Sequence, residues 1–105
     1  MTNLIRYYES LNKILDAKER RKLERDYRNW LRDKFDWMNI HHHILTANNH
    51  GTGIKPNDLW CIPARDQDHH NRYHGIGQNT ISLDKQLEFL EMLHSQFVAD
   101  KGLEI

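Results

Sequence analysis

A single cysteine, Cys61, in 105 residues excludes an internal disulfide and any CxxC zinc knuckle. No apolar run approaches the roughly 20 residues of a membrane span. The opening MTNLIRYYES also lacks the hydrophobic stretch of a secretory signal. No membrane partner is therefore expected, and the cytoplasm is the default compartment. Hydrophobic residues make up only 38% of the chain, enough for one domain over residues 1–105 with a modest core. No internal repeat or low-complexity tract divides it.

Net charge is absent too, since fifteen Lys and Arg balance fifteen Asp and Glu. The balance hides an asymmetry: residues 1–36 carry ten basic against seven acidic side chains, and the remainder five against eight. The basic excess concentrates in KERRKLERDYRNWLRDK, residues 18–34. A solvated helix face with i,i+4 pairs such as Glu24 with Arg28 accounts for it. The sharper alternative is an arm whose Arg21, Arg25, Arg28 and Arg32 meet nucleic-acid phosphates. The mixed charge of this helix also suits a homodimer.

Histidine is what the chain has in plenty. Seven of its eight lie between His41 and His74, although imidazole suits neither a dry core nor a merely soluble surface. Such a cluster points to a metal or a proton transfer.

The flanks read as helix. Leu4, Tyr8, Leu11 and Leu15 recur at helical spacing, as do Leu23, Tyr27, Trp30, Leu31 and Phe35. Asp16 with Glu19 makes a capping box that divides residues 1–36 into two helices near Leu15, one long helix being the alternative. Over residues 82–101, Ser82 caps a C-terminal helix, Leu83, Leu87, Leu90, Leu93 and Phe97 form its apolar face, and Gly102 ends it. Between the flanks, MNIHHHILT (38–46) and DLWCIPA (58–64) are β-favouring runs. ANNHGTGIKPND connects them, with Gly51, Gly53 and Pro56 shaping the turn. RDQDHHNRYHG (65–75) then suits a short helix. The expected architecture is α+β, a ββα unit over residues 38–75 flanked by helices.

On that short helix His70 and His74 lie four residues apart, one turn along the same face. Two imidazoles so placed can share a divalent ion, and a third from His42 leaves coordination positions open, as catalytic sites do.

HHHI, then GTGIKPNDLWCIP, then HHNRYH resembles the HNH endonucleases, in particular small phage-type members with a G-x-G-x-K-P-x-D connection. The likeness covers residues 40–75, about a third of the chain. It implies a ββα-metal core and a DNA endonuclease, encoded by a phage or mobile element and acting in the host cytoplasm. Carried over by position, it makes His42 a metal ligand and His43 the general base. The closing His-Asn-x-x-His gives His70 and His74 as further ligands with Asn71 between them. The middle Asn/Asp falls on Asp58, with Asn57 as the alternative, and its family role is to brace the loop carrying the base. His41 competes with His42 for register, and His69 with His70.

The residue types suit phosphodiester hydrolysis. Imidazole ordinarily titrates near neutrality and can take a proton from water. A bound ion stabilises charge on the phosphate. Lys55, Arg65, Asn71 and Arg72 are placed in sequence to reach the nucleic acid. Three imidazoles suit Zn²⁺ or Ni²⁺, while oxygens of phosphate and water admit Mg²⁺ or Mn²⁺.

The chain also departs from the family. Ala64 and Arg65 stand where Pro-Leu-Cys is common, so packing through Trp30, Trp37, Trp60 and Phe97 must hold the hairpin. His41 is expected to be an exposed strand residue and His50 uninvolved. His94 should be a half-buried surface histidine, and Cys61 a buried small hydrophobe. The competing readings are a non-catalytic nucleic-acid-binding module with a structural metal, and a helical interaction protein with a surface metal site.

Overall fold

The computed structural model describes residues 4–7, 16–44, 57–66 and 81–103. They form an α+β fold with one two-stranded antiparallel sheet.

Residues 4–7 are helical, and Leu4 and Ile5 are buried. Helix α1 spans Ala17–Lys34. Its cap Asp16 has extended backbone (φ −74°, ψ 170°), which rules out one helix running through this residue. The Asp16 carboxylate accepts the Glu19 N–H at 2.8 Å, as the capping pattern predicts. Tyr27, Trp30 and Leu31 are buried, the i, i+3, i+4 spacing that puts three side chains on one face. Arg32 and Lys34 end the helix, where cations favour the dipole.

Strands β1 (Ile40–His43) and β2 (Cys61–Ala64) pair as Ile40↔Ala64, His41↔Pro63, His42↔Ile62 and His43↔Cys61. The Ile44 N–H donates to the Trp60 carbonyl at 2.9 Å. By alternation, His43↔Cys61 and His41↔Pro63 are the non-hydrogen-bonded pairs. Proline, which has no N–H, loses no ladder bond at that position.

The strand expected from Asp58 starts late. Asp58–Trp60 is a 3-10 turn, and only Cys61 onward pairs. The Asn57 side chain accepts the Leu59 N–H at 2.9 Å, and the Trp60 N–H returns to the Asn57 carbonyl at 3.1 Å. These local bonds outweigh the β preference of Leu59 and Trp60. Beyond β2 the Asp66 N–H donates to the Asn39 side chain at 2.9 Å. The rest of the short helix expected over 65–75 lies outside the described residues.

Helix α2 spans Leu83–Lys101. Ser82 Oγ accepts the Lys85 N–H at 3.3 Å. At the other end Gly102 adopts φ 64°, Gly102 N–H bonds the Ala99 carbonyl and Leu103 N–H the Val98 carbonyl. That is the Schellman arrangement glycine permits. The buried face differs from the expected leucine stripe: Leu83 is 44% exposed, while Gln86 and His94 are buried beside Leu90, Leu93 and Phe97. Both polar residues find partners inside.

Tyr27, Leu31, Ile44, Leu59, Ile62, Leu90, Leu93 and Phe97 lie at the centre of the core. Phe97 meets Tyr27 edge-on at 5.3 Å and Trp30 at 5.5 Å, and Trp30 Nε1 donates to Asp100 at 2.9 Å. Trp30, Trp60 and Phe97 thus support the hairpin region as expected. Trp37 does not: it is 44% exposed, placed outside the core by the turn at 36–37 and set edge-on to Phe35. None of the described helices is long and apolar enough to cross a membrane.

Candidate functional site

Side chains alternate across β1, so His41 and His43 face one way and His42 the other. His41 and His43 both reach partners on or beside α1, and His42 reaches one on α2.

The His43 Nε2 lies 2.9 Å from Asp58 Oδ1. A carboxylate can only accept, so the ring donates from Nε2, and in its neutral form the lone pair is on Nδ1. The other oxygen, Asp58 Oδ2, is 3.2 Å from Arg28 Nε. The Asp58 N–H donates to Glu24 Oε1 at 3.1 Å. Glu24 and Arg28, expected to pair with each other, are instead both directed to Asp58. The result is a chain Arg28–Asp58–His43 in which a guanidinium steadies a carboxylate and the carboxylate orients an imidazole. His43 and Asp58 side chains are 30% and 27% exposed, so the pair is partly open to solvent.

His41, expected to be exposed, is half-buried, with Nε2 3.4 Å from the Arg28 carbonyl. Burial foremost, then the charges of Arg32 and Arg28, lowers its pKa against the opposing pull of the carbonyl bond and Asp58.

His42 is 2% exposed. Its Nε2 lies 3.0 Å from Gln86 Oε1, and Gln86 Nε2 donates to the Ile81 carbonyl at 2.9 Å. The Ile81 carbonyl fixes which way the amide points, so His42 must donate from Nε2. That is the tautomer whose Nδ1 carries the lone pair a divalent ion requires. The donor chemistry of His42 therefore fits a ligand role. His69, His70 and His74, with Lys55, Asn71 and Arg72, lie outside the described residues, as do Gly51, Gly53, Pro56 and His50. Arg65 is exposed, its guanidinium 5.8 Å from the Trp37 ring centre.

The backbone under Asp58 is clamped from two helices. The Tyr27 hydroxyl donates to the Cys61 carbonyl at 2.8 Å. His94 Nε2 donates to the Leu59 carbonyl at 2.6 Å, with its ring edge-on to Tyr27 at 5.1 Å. His94 is 1% exposed, not the surface histidine expected. Burial brings its pKa down to about 4 against the opposing effect of the Leu59 bond, so near neutrality it is uncharged. Burial also pushes the Tyr27 hydroxyl up.

Cys61 is buried as expected. Its pKa is pushed up, by burial first and then by the Asp58 charge. His43, Asp58 and Cys61 place a nitrogen, a carboxylate oxygen and a sulfur within 4.8 Å of one another, a spacing compatible with one metal ion.

Comparison with protein-family models, with curated proteins and with solved structures finds no match.

Sequence reasoning missed Gln86, Glu24, Arg28, Tyr27 and His94 as parts of the site. Gln86 carried a signal, because it falls at i−4, i−7 and i−11 from Leu90, Leu93 and Phe97, a polar residue within an apolar stripe. Which backbone carbonyls await Tyr27 and His94 is a long-range fact with no local trace.

Proposed function

We propose that the protein is a metal-dependent DNA endonuclease of the HNH type, hydrolysing phosphodiester bonds by general-base activation of water. The observation that carries this reading is the His43–Asp58 pair, half-open to solvent and braced by Arg28. His43 takes the proton of the attacking water at Nδ1. Asp58 holds the ring in that tautomer and stabilises the imidazolium that forms, while Arg28 keeps Asp58 in place. Lys55, Arg65, Asn71 and Arg72 hold phosphate oxygens and position the strand. His42, His70 and His74 would hold the divalent ion, Zn²⁺, Ni²⁺, Mg²⁺ or Mn²⁺. When bound, it polarises the phosphate and stabilises charge developing there. The ordered likeness of HHHI, GTGIKPNDLWCIP and HHNRYH to the HNH pattern supports the same reading, and with it a phage or mobile-element origin and action in the cytoplasm.

A non-catalytic DNA-binding module with a structural metal is the second reading, favoured by the burial of His42. It leaves the His43–Asp58 pair without work, since a structural site requires no base. Incubating the pure protein with supercoiled plasmid and a panel of divalent ions separates the two. Nicking or linearisation that chelator abolishes is expected of the endonuclease; intact plasmid under every ion with DNA still bound supports the second reading.

A further inference from the structure

We propose that His43, Asp58 and Cys61 form a distinct site for a thiophilic divalent ion such as Zn²⁺, Cd²⁺ or Co²⁺, and that filling it switches His43 off as a base. The site stands on geometry alone; only its regulatory consequence rests on the endonuclease reading.

The sheet register creates the site. His43 and Cys61 are directly opposed in a non-hydrogen-bonded pair, where side chains approach most closely. The 3-10 turn that delays β2 brings Asp58 onto the same residues, and the three ligand atoms lie within 4.8 Å of one another. A tetrahedral ion with bonds of about 2.0–2.3 Å spaces its ligands by roughly 3.3–3.8 Å. The ion takes the place of the proton between Nε2 and Asp58 Oδ1, whose 2.9 Å separation must widen to admit it.

The protons balance without any redox step. Cys61 loses one to solvent and binds as thiolate. His43 gives its Nε2 lone pair to the ion, and its ring proton moves through water to Nδ1. That second shift matters, because Nδ1 is the atom that would accept a proton from the attacking water. An ion on Nε2 turns the acceptor into a donor.

Selectivity follows from the donors and their neighbour. Arg28 beside Asp58 Oδ2 repels any cation, and Cys61 must be stripped of its proton. Strong metal–sulfur bonding offsets both costs for soft and borderline ions but not for Mg²⁺ or Ca²⁺. Mg²⁺ or Mn²⁺ held by the other histidines would leave the base free.

Cobalt(II) titration tests the site directly. Because Cys61 is the chain's one cysteine, a near-ultraviolet sulfur-to-cobalt charge-transfer band in wild-type protein can come only from this thiol. The expected result is a band that saturates as cobalt is added, with proton release as it grows, and no band in Cys61→Ala. No band in cobalt-saturated wild-type protein overturns the site, whatever the variant does. The regulatory half is read from plasmid cleavage in Mg²⁺ or Mn²⁺ with added Zn²⁺, each protein scaled to its own zinc-free rate. Wild type should be inhibited at zinc concentrations roughly 10-fold or more below those needed for Cys61→Ala, the scale of losing a metal-site contact. Equal inhibition of both overturns the switch. A cobalt band with no cleavage under any ion supports the site and sinks the endonuclease reading instead.

Discussion

His94 donates from Nε2 to the Leu59 carbonyl at 2.6 Å, one residue along the chain from Asp58. A helix near the C-terminal end thus fixes the backbone that aims the partner of His43. Tyr27, from α1, fixes the same segment at Cys61. The His43–Asp58 pair is consequently sensitive to both flanks, although neither flank supplies either residue.

The histidines should separate by role. His43→Ala removes a proton acceptor, so plasmid cleavage should fall by roughly 10²-fold or more while DNA binding persists. His74→Ala should weaken metal binding and cleavage together, with added metal restoring part of the activity. His41→Ala should leave cleavage close to wild type. A panel scored for metal affinity, DNA binding and cleavage checks this; a fully active His43→Ala would remove the general-base assignment.

Stability should depend on pH through His94. Its ordinary value of 6.5 is brought down to about 4 in the fold, so the unfolded chain binds the proton more readily. Stability contributed by the neutral ring is present above about 6.5 and is lost as pH falls toward 4, on the order of 3 kcal/mol in all. His94→Gln should flatten the fall in melting temperature across that window. A variant with the same pH profile as wild type would place the titrating group elsewhere.

Tyr27→Phe keeps the ring and deletes one hydroxyl. The Cys61 carbonyl then loses its partner in a buried position, which costs about 1–2 kcal/mol. Denaturant unfolding should show that loss with an unchanged m-value; no loss would mean water substitutes for the hydroxyl.

The arginines on the basic face of α1 are not equivalent. Arg28 is engaged by Asp58, whereas Arg21, Arg25 and Arg32 are exposed. If those three meet phosphates, replacing them with Gln should flatten the dependence of log affinity on log salt by about 0.9 per lost contact. An unchanged slope would make the face a solvated one.

The caps and the paired segments were legible because local chemistry dictates them. Asp16, Ser82 and Gly102 each satisfy helix-end groups with bonds spanning a few residues. The His41–His43 strand follows from its apolar flanks. What escaped was decided across the fold. Gln86 and His94 look like surface residues until His42 and the Leu59 carbonyl are opposite them. Trp37 has a core residue's size, but its position in a turn places it outside. Within the site, His43 and Asp58 lie together, whereas Arg28 and Glu24 came from a helix read only for its charge.

Pro63 and Tyr27 together set a limit on how the sheet can grow. In the non-hydrogen-bonded pairs of β2, the backbone groups of Cys61 and Pro63 point away from β1. The first of these carbonyls is taken by the Tyr27 hydroxyl, and the second residue has no amide to offer. An incoming strand therefore meets one occupied acceptor and one missing donor, two of the devices that keep exposed sheet margins from templating aggregation. Among the described residues, the margin of β2 away from β1 is chemically blunt.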